Sequence, residues 1–243
     1  MITRFKRLDF ANIDCKASIL VKGYSDADNI NIGCFGYFLE KDGEKIIVDT
    51  GIDDIDTVNM TKSSKDDWKR SKTEGTMEEN LKKIGVMAEE IDKVFITHSH
   101  YDHISGVCYF DNAHIYMSQK EYEYLCDDNN PHKRFLNDVI EFLENKKAKN
   151  LLTLIEDEYS ENDVKCLVVG GHTVGSMLVY VGDYLFTGDN VFMLESIEKK
   201  LPIGFCNDPK GAYNALNICM KHKGKVLTGH DFGCCTDMED IYV

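Results

Sequence analysis

The sequence predicts an α/β fold in which β-sheets are covered by helices. Three observations lead there. From Lys45 onward, short β-rich runs alternate with helical patterns. No Pro- or Ser-rich linker divides the chain, and its three prolines (Pro131, Pro202, Pro209) are scattered. Of the 243 residues, 43% are hydrophobic, enough for a sizeable buried core. A single domain over residues 1–243 is the simplest organisation.

The strands come first. Lys45 to Gly51 reads as a buried strand ending in a turn, and Lys93 to Thr97 as another that runs straight into His98. Ala113 to Met117 follows, and Lys165 to Val169 ends in Gly170-Gly171-His172. Ser176 to Val181 and Tyr184 to Thr187 flank Gly182-Asp183, a hairpin signal. Lys225 to Thr228 ends in Gly229-His230-Asp231. Helices are expected over Met77–Ile84, over Lys133–Lys146 with Phe135, Leu136, Val139, Ile140 and Leu143 at helical spacing, and over Lys210–Lys221. The last begins with an Asp208 cap and a first-turn proline, Pro209. Residues 53–75 are polar and aperiodic, which predicts a long surface loop of the kind that borders sites.

Charge and cysteine usage exclude some functions. The net charge of −14 repels phosphate backbones and anionic membrane surfaces, so neither nucleic acid nor a membrane is expected as a partner. Charged residues interrupt the N-terminus too early for a signal-peptide apolar region, and no stretch approaches the roughly 18 apolar residues of a membrane span. A cytoplasmic location is expected. The nine cysteines are odd in number and form no Cys-x-x-Cys pair, so they read as free thiols, mostly small buried hydrophobes.

One pattern carries chemistry. At four places a β-rich run ends and a His or Asp follows beside a glycine or within a tight cluster: His98-Ser99-His100-Tyr101-Asp102-His103, His172, Asp189 and His230. Strand ends are where a fold can converge side chains from distant parts of the chain. Four potential ligands within six residues are costly to bury unless a cation compensates them. His and carboxylate donors suit zinc, iron or manganese. His98 and His100 can reach one ion together, while Asp102 and His103 lie further round the turn and can reach a second. Asp189, with two carboxylate oxygens, can bridge. Taken singly, His172, Asp189 and His230 serve equally well as turn or capping residues. His114, His132 and His222 match no part of the pattern and read as ordinary core or surface histidines. Tyr122 and Tyr124 read as core aromatics.

These residues resemble the metallo-β-lactamase superfamily. The likeness runs through Val48-Asp49-Thr50-Gly51, Thr97 to Gly106, Gly171-His172-Thr173-Val174-Gly175-Ser176, Gly188-Asp189 and Gly229-His230, in that order and over about residues 30 to 235. It implies an αββα sandwich, two mixed β-sheets face to face with helices outside. It implies two divalent metal ions, zinc first, with iron or manganese as alternatives. One metal site would comprise His98, His100 and His172, the other Asp102, His103 and His230, with Asp189 between them. Asp49 would orient a ligand histidine. The implied chemistry is hydrolysis by a hydroxide shared between ions roughly 3.5–4 Å apart, with Asp102 as catalytic proton shuttle.

Within the superfamily, His100 at the second motif position favours the hydrolase branch over the di-iron redox branch, which usually carries Glu there. The chain resembles the N-acyl homoserine lactonase group most, through its compact single domain and the Gly229-His230-Asp231 ending. That group often has a tyrosine three residues after the bridging Asp, where this chain has Phe192, which cannot donate a hydrogen bond. The expected substrate is therefore a small molecule with a lactone, ester or thioester bond. A di-iron redox protein of the same fold and a metal-dependent phosphodiesterase are the alternatives. The oligomeric state is left open.

Overall fold

The computed structural model describes residues 1–61, 66–131 and 133–234. His132 and Cys235 fall outside them. Among the described residues, eleven strands make two sheets. The first sheet contains, side by side, β1 (Ile2–Lys16), β2 (Asn29–Lys41), β3 (Glu44–Val48), β4 (Lys93–Phe95), β5 (His114–Ser118) and β6 (Leu152–Ile155). The second contains β7 (Glu158–Glu161), β8 (Val164–Val168), β9 (Met177–Val181), β10 (Tyr184–Phe186) and β11 (Lys225–Leu227). Both are mixed. β1, β2 and β3 pair antiparallel and β3 to β6 parallel. In the second sheet only the β10–β11 pair is parallel.

The helices are α1 (Ala17–Leu20), α2 (Ile55–Thr61), α3 (Met77–Lys83), α4 (Tyr101–Ile104), α5 (Gln119–Cys126), α6 (Asn137–Ala148), α7 (Leu194–Lys199) and α8 (Pro209–Lys221). Side-chain alternation shows how the layers stack. Ile46 and Val48 of β3 face a core shared with Met177, Val179 and Val181 of β9, while Ile47 faces away, into a cluster holding Leu81 of α3 and Leu143 of α6. In β9, Leu178 turns outward to Cys219 of α8. The result is helix, sheet, sheet, helix, as expected from the resemblance.

The observed elements depart from expectation in identifiable ways. β1 and β2 were not anticipated. In β1 a register shift between Asp9 and Ala11 puts Phe10 and Ala11 into one cluster, which breaks the period of two. β2 is buried on both faces and shows no alternation to read. The expected helix over Lys133–Lys146 starts later, at Asn137, after a separate short turn at Lys133–Phe135. Met77–Lys83 is helical as expected, with a Thr76–Glu79 capping box that satisfies its first turn. The expected loop over 53–75 contains α2, and its Lys69 pairs with Asn12 of β1. Of the eight described cysteines, four are buried (Cys34, Cys166, Cys219, Cys234), so the expectation of mostly buried thiols holds for only half; Cys108 is exposed. Tyr122 packs against the large core cluster, His114 bonds Thr153 Oγ1 at 2.8 Å, and His222 bonds the Asp183 carbonyl at 2.9 Å. No described helix is long and apolar enough to cross a membrane.

Candidate metal centre

Five of the predicted site residues lie just beyond the C-terminal end of a strand, and from His98 the chain runs through His100 into α4, which carries Asp102 and His103. Asp49 follows β3 and His98 follows β4, while His172, Asp189 and His230 follow β8, β10 and β11. Backbone bonds tie these ends together across the sandwich. Asp49 N–H donates to Phe95 O at 2.9 Å, Met177 N–H to Thr97 O at 2.9 Å, and Gly33 N–H to His230 O at 3.1 Å. Glycine is required at Gly188, where φ is +50° and an added Cβ would stand 2.4 Å from Thr97 Oγ1.

The side chains converge into two adjoining clusters. His98, His100, His172 and Asp189 form one, and Asp102, His103 and His230 the other; within each, the ligand atoms lie within 4.8 Å of one another. Asp189 joins them. One of its oxygens is 3.2 Å from His172 Nε2 and 3.6 Å from His98 Nε2. The other is 3.0 Å from His103 Nε2 and 2.9 Å from His230 Nε2. Asp102 Oδ2 stands 3.8 Å from His103 Nε2 and 3.7 Å from His230 Nε2. His98 and His103 are fully buried, and Asp102 is only 8% exposed. All seven predicted ligand residues are therefore brought together.

The remaining ring nitrogens fix the tautomers. His103 Nδ1 faces Asp49 Oδ2 at 2.9 Å, and His230 Nδ1 faces the Gly33 carbonyl. Asp49 also accepts from Thr97 N–H and Thr97 Oγ1, both at 2.8 Å. Acceptors on Nδ1 keep the proton there and leave Nε2 with a lone pair. The Nε2 atoms of His103 and His230 are nevertheless 3.3 Å apart, with a carboxylate oxygen beside both. His98 Nε2 and Asp189 Oδ1 are buried without a hydrogen-bond partner. Lone pairs packed this closely repel one another unless a cation lies among them. The donor set thus fits a metal: imidazoles and carboxylates, aimed inward and oriented from behind.

The local electrostatics agree. Burial works against a charged His103, but Asp189, Asp49 and Asp102 outweigh it and raise its pKa well above the ordinary value. Burial likewise opposes a charged Asp189, yet His230, His103, His98 and His172 hold its carboxyl well below the usual range. Burial pushes His98 well below its ordinary value. The upward shifts fall on His103 and His230, which face the carboxylates, while burial also lowers His172, so positive charge is favoured on the side of the second cluster.

The clusters open onto a cavity of about 490 Å³ whose walls include Ile19, Ile32, Trp68, Phe192 and Phe205, with Lys16 among them. Phe192 lies between two histidines of the clusters, its ring 5.4 Å from that of His230 and 5.3 Å from that of His172. The sequence motifs gave no sign of this wall, nor of the Gly33 carbonyl, because these groups come from β1, α1, β2, the stretch between α2 and α3, and the segments on either side of α7. Only Phe192 had a signal, its fixed distance from Asp189.

Comparison with known proteins follows this geometry. A probable metallo-hydrolase of Methanocaldococcus jannaschii is 30% identical over 151 residues, 62% of this chain and 62% of that protein. The chain thus matches less than two thirds of that relative's length. An N-acyl homoserine lactonase of Bacillus cereus is 27% identical over 218 residues, covering 83% of this chain and 82% of the relative. A solved N-acyl homoserine lactone hydrolase, holding the product N-hexanoyl-L-homoserine at its catalytic metal centre, superposes with a TM-score of 0.76 at 20% identity, over 96% of this chain and 94% of that one. That likeness establishes the αββα fold. The family model of the metallo-beta-lactamase superfamily matches residues 31–220, well over half of the chain. With the fold and the clustered His and Asp residues in agreement, this chain belongs to the metallo-β-lactamase superfamily.

Proposed function

We propose that the protein is a binuclear metal-dependent hydrolase of a small-molecule substrate with a lactone, ester or thioester bond. The observation that carries this reading is the packing of lone pairs around Asp189, whose two oxygens each face two imidazole Nε2 atoms at 2.9–3.6 Å. One ion would be held by His98, His100 and His172, the second by Asp102, His103 and His230, with Asp189 contacting both. Zinc suits this donor set best, then iron or manganese. When bound, two such ions lower the pKa of water to about 7 and polarise a substrate oxygen.

The chain's own residues supply the rest. Asp49 and the Gly33 carbonyl hold the protons of His103 and His230 on Nδ1, so both Nε2 atoms face the centre. Asp102, at the cavity edge of its cluster, is the carboxylate placed to take up a proton during hydrolysis and return it to the leaving group. The apolar wall of Phe192, Phe205, Ile19 and Ile32 excludes water and accepts a hydrocarbon portion of the substrate. The likeness to the Bacillus cereus lactonase supports a lactone. Phe192 offers no hydroxyl to the substrate carbonyl, so the substrate differs from, or is bound differently to, one that needs a tyrosine there.

The test is a hydrolase panel of lactones, thioesters, phosphodiesters and β-lactams with metal content measured on the same preparation. Turnover of a carbonyl substrate with two metals per chain is expected. Bound iron with reversible redox changes and no hydrolysis would overturn the reading.

A further inference from the structure

The three histidines of the first cluster sit on two separate loops, and one buried acid outside the cluster touches both. Glu121, on α5, is fully buried. A carboxylate in such a place is costly unless its oxygens are satisfied. Its oxygens are divided by loop. Oε2 accepts from Ser99 N–H at 2.9 Å and Ser99 Oγ at 2.7 Å. Oε1 accepts from Gly175 N–H at 2.9 Å and from Thr173 Oγ1. Ser99 stands between His98 and His100, and Thr173 directly follows His172.

A second observation brings the His172 loop onto the same helix. A Cβ added at Gly175 would lie 2.5 Å from Ser118 Oγ and 2.7 Å from Glu121 N. Ser118 caps α5 by accepting from Glu121 N–H at 3.1 Å. The loop is thus pressed against the start of α5, and only glycine permits that approach. Across the gap that Glu121 spans, His172 Nε2 and His100 Nδ1 come within 2.9 Å, with their rings nearly perpendicular at 88°. The histidines of the other cluster are held differently, by Asp49 and the Gly33 carbonyl.

We infer that Glu121 is a positioning residue that braces the His98–His100 loop against the His172 loop and so sets the ligand spacing of one metal site and not of the other. The inference rests on the two-metal reading above. A carboxylate is needed for the brace. In glutamine one oxygen becomes an NH₂ donor. The hydroxyls of Ser99 and Thr173 can rotate to accept from it, but the backbone N–H of Ser99 or of Gly175 cannot, so one loop is left with donor facing donor. Aspartate is one methylene shorter and does not span both loops.

The experiment compares the wild type, Glu121→Gln and Thr173→Val, each loaded with zinc and separately with cobalt(II). Bound metal is counted after dialysis, affinities are measured by chelator competition, and the cobalt absorption spectrum reports ligand geometry. The wild type should keep two ions per chain. Glu121→Gln should keep one, with the weaker site losing about 10–100-fold in affinity and the spectrum of one ion altered. Thr173→Val, which removes one of four donors, should shift the same site less and carries the test if Glu121→Gln does not fold. Two ions with wild-type affinities and spectrum in the variants would overturn the brace. Equal loss at both sites would also overturn it, as a general structural effect. A wild type that binds fewer than two ions would instead overturn the two-metal reading.

Discussion

Asp49→Asn changes one atom and tests how the second cluster is oriented. The backbone at Asp49 has φ of +58°, and Asn tolerates that region as Asp does, so no new strain enters. In the wild type, Oδ1 accepts from Thr97 N–H, and Oδ2 accepts from Thr97 Oγ1 and His103 Nδ1. The new amide nitrogen must take one of these two places. At Oδ1 it faces the Thr97 N–H, a buried donor against a donor. At Oδ2 it faces His103 Nδ1 and favours the tautomer with the proton on Nε2, the atom that must be free for a metal. An unsatisfied buried donor costs about 1–3 kcal/mol of stability. Loss of an orienting carboxylate behind a histidine ligand costs about 10–100-fold in metal affinity, or about 1.4–2.8 kcal/mol. The assay is chelator competition on the zinc-loaded protein, with thermal unfolding of the metal-free form in parallel. The expected result is weakened binding at one of two sites and a melting temperature lower by about 2–4 °C for each kcal/mol lost. Wild-type affinity at both sites with unchanged melting would refute the argument that Asp49 sets the His103 tautomer.

Other outcomes follow from the same geometry. His103→Ala removes a ligand that faces both Asp102 and Asp189, and should lose one metal and most turnover; two metals per chain at full rate would show the site to be misassigned. Chelation should lower the melting temperature of the loaded protein, because the metal-free cluster leaves His98 Nε2 and Asp189 Oδ1 without partners; scanning calorimetry with and without chelator measures the shift. Phe192→Tyr adds a hydroxyl to a ring that lies between His172 and His230. It should raise turnover of lactone substrates relative to thioesters, read as kcat/KM for each, and a fall for both classes would place Phe192 in packing alone.

The strands that lead into the clustered residues were legible because each is a short apolar run closed by a His or Asp beside a glycine, as in Leu185-Phe186-Thr187-Gly188-Asp189, or by a dense His cluster, as after Thr97. The clustered motif at His98 to His103 was legible because its density has no cheaper explanation than a cation. The strands before Lys45 were not. β2 is buried on both faces and β1 bulges at Phe10, so neither shows the alternation that marks a strand. The helix α2 was hidden in a polar segment whose packing partners lie elsewhere.

The sequence by itself determined the kind of centre this protein has, since the identity and order of His98, His100, Asp102, His103, His172, Asp189 and His230 are local facts about residue type. Tertiary structure alone decided what holds and surrounds that centre. The carbonyl of Gly33, the carboxylate of Glu121 and the wall of Ile19, Ile32 and Phe205 act on the site through distance, and their distance to it is set by how two sheets pack. No spacing along the chain encodes that contact.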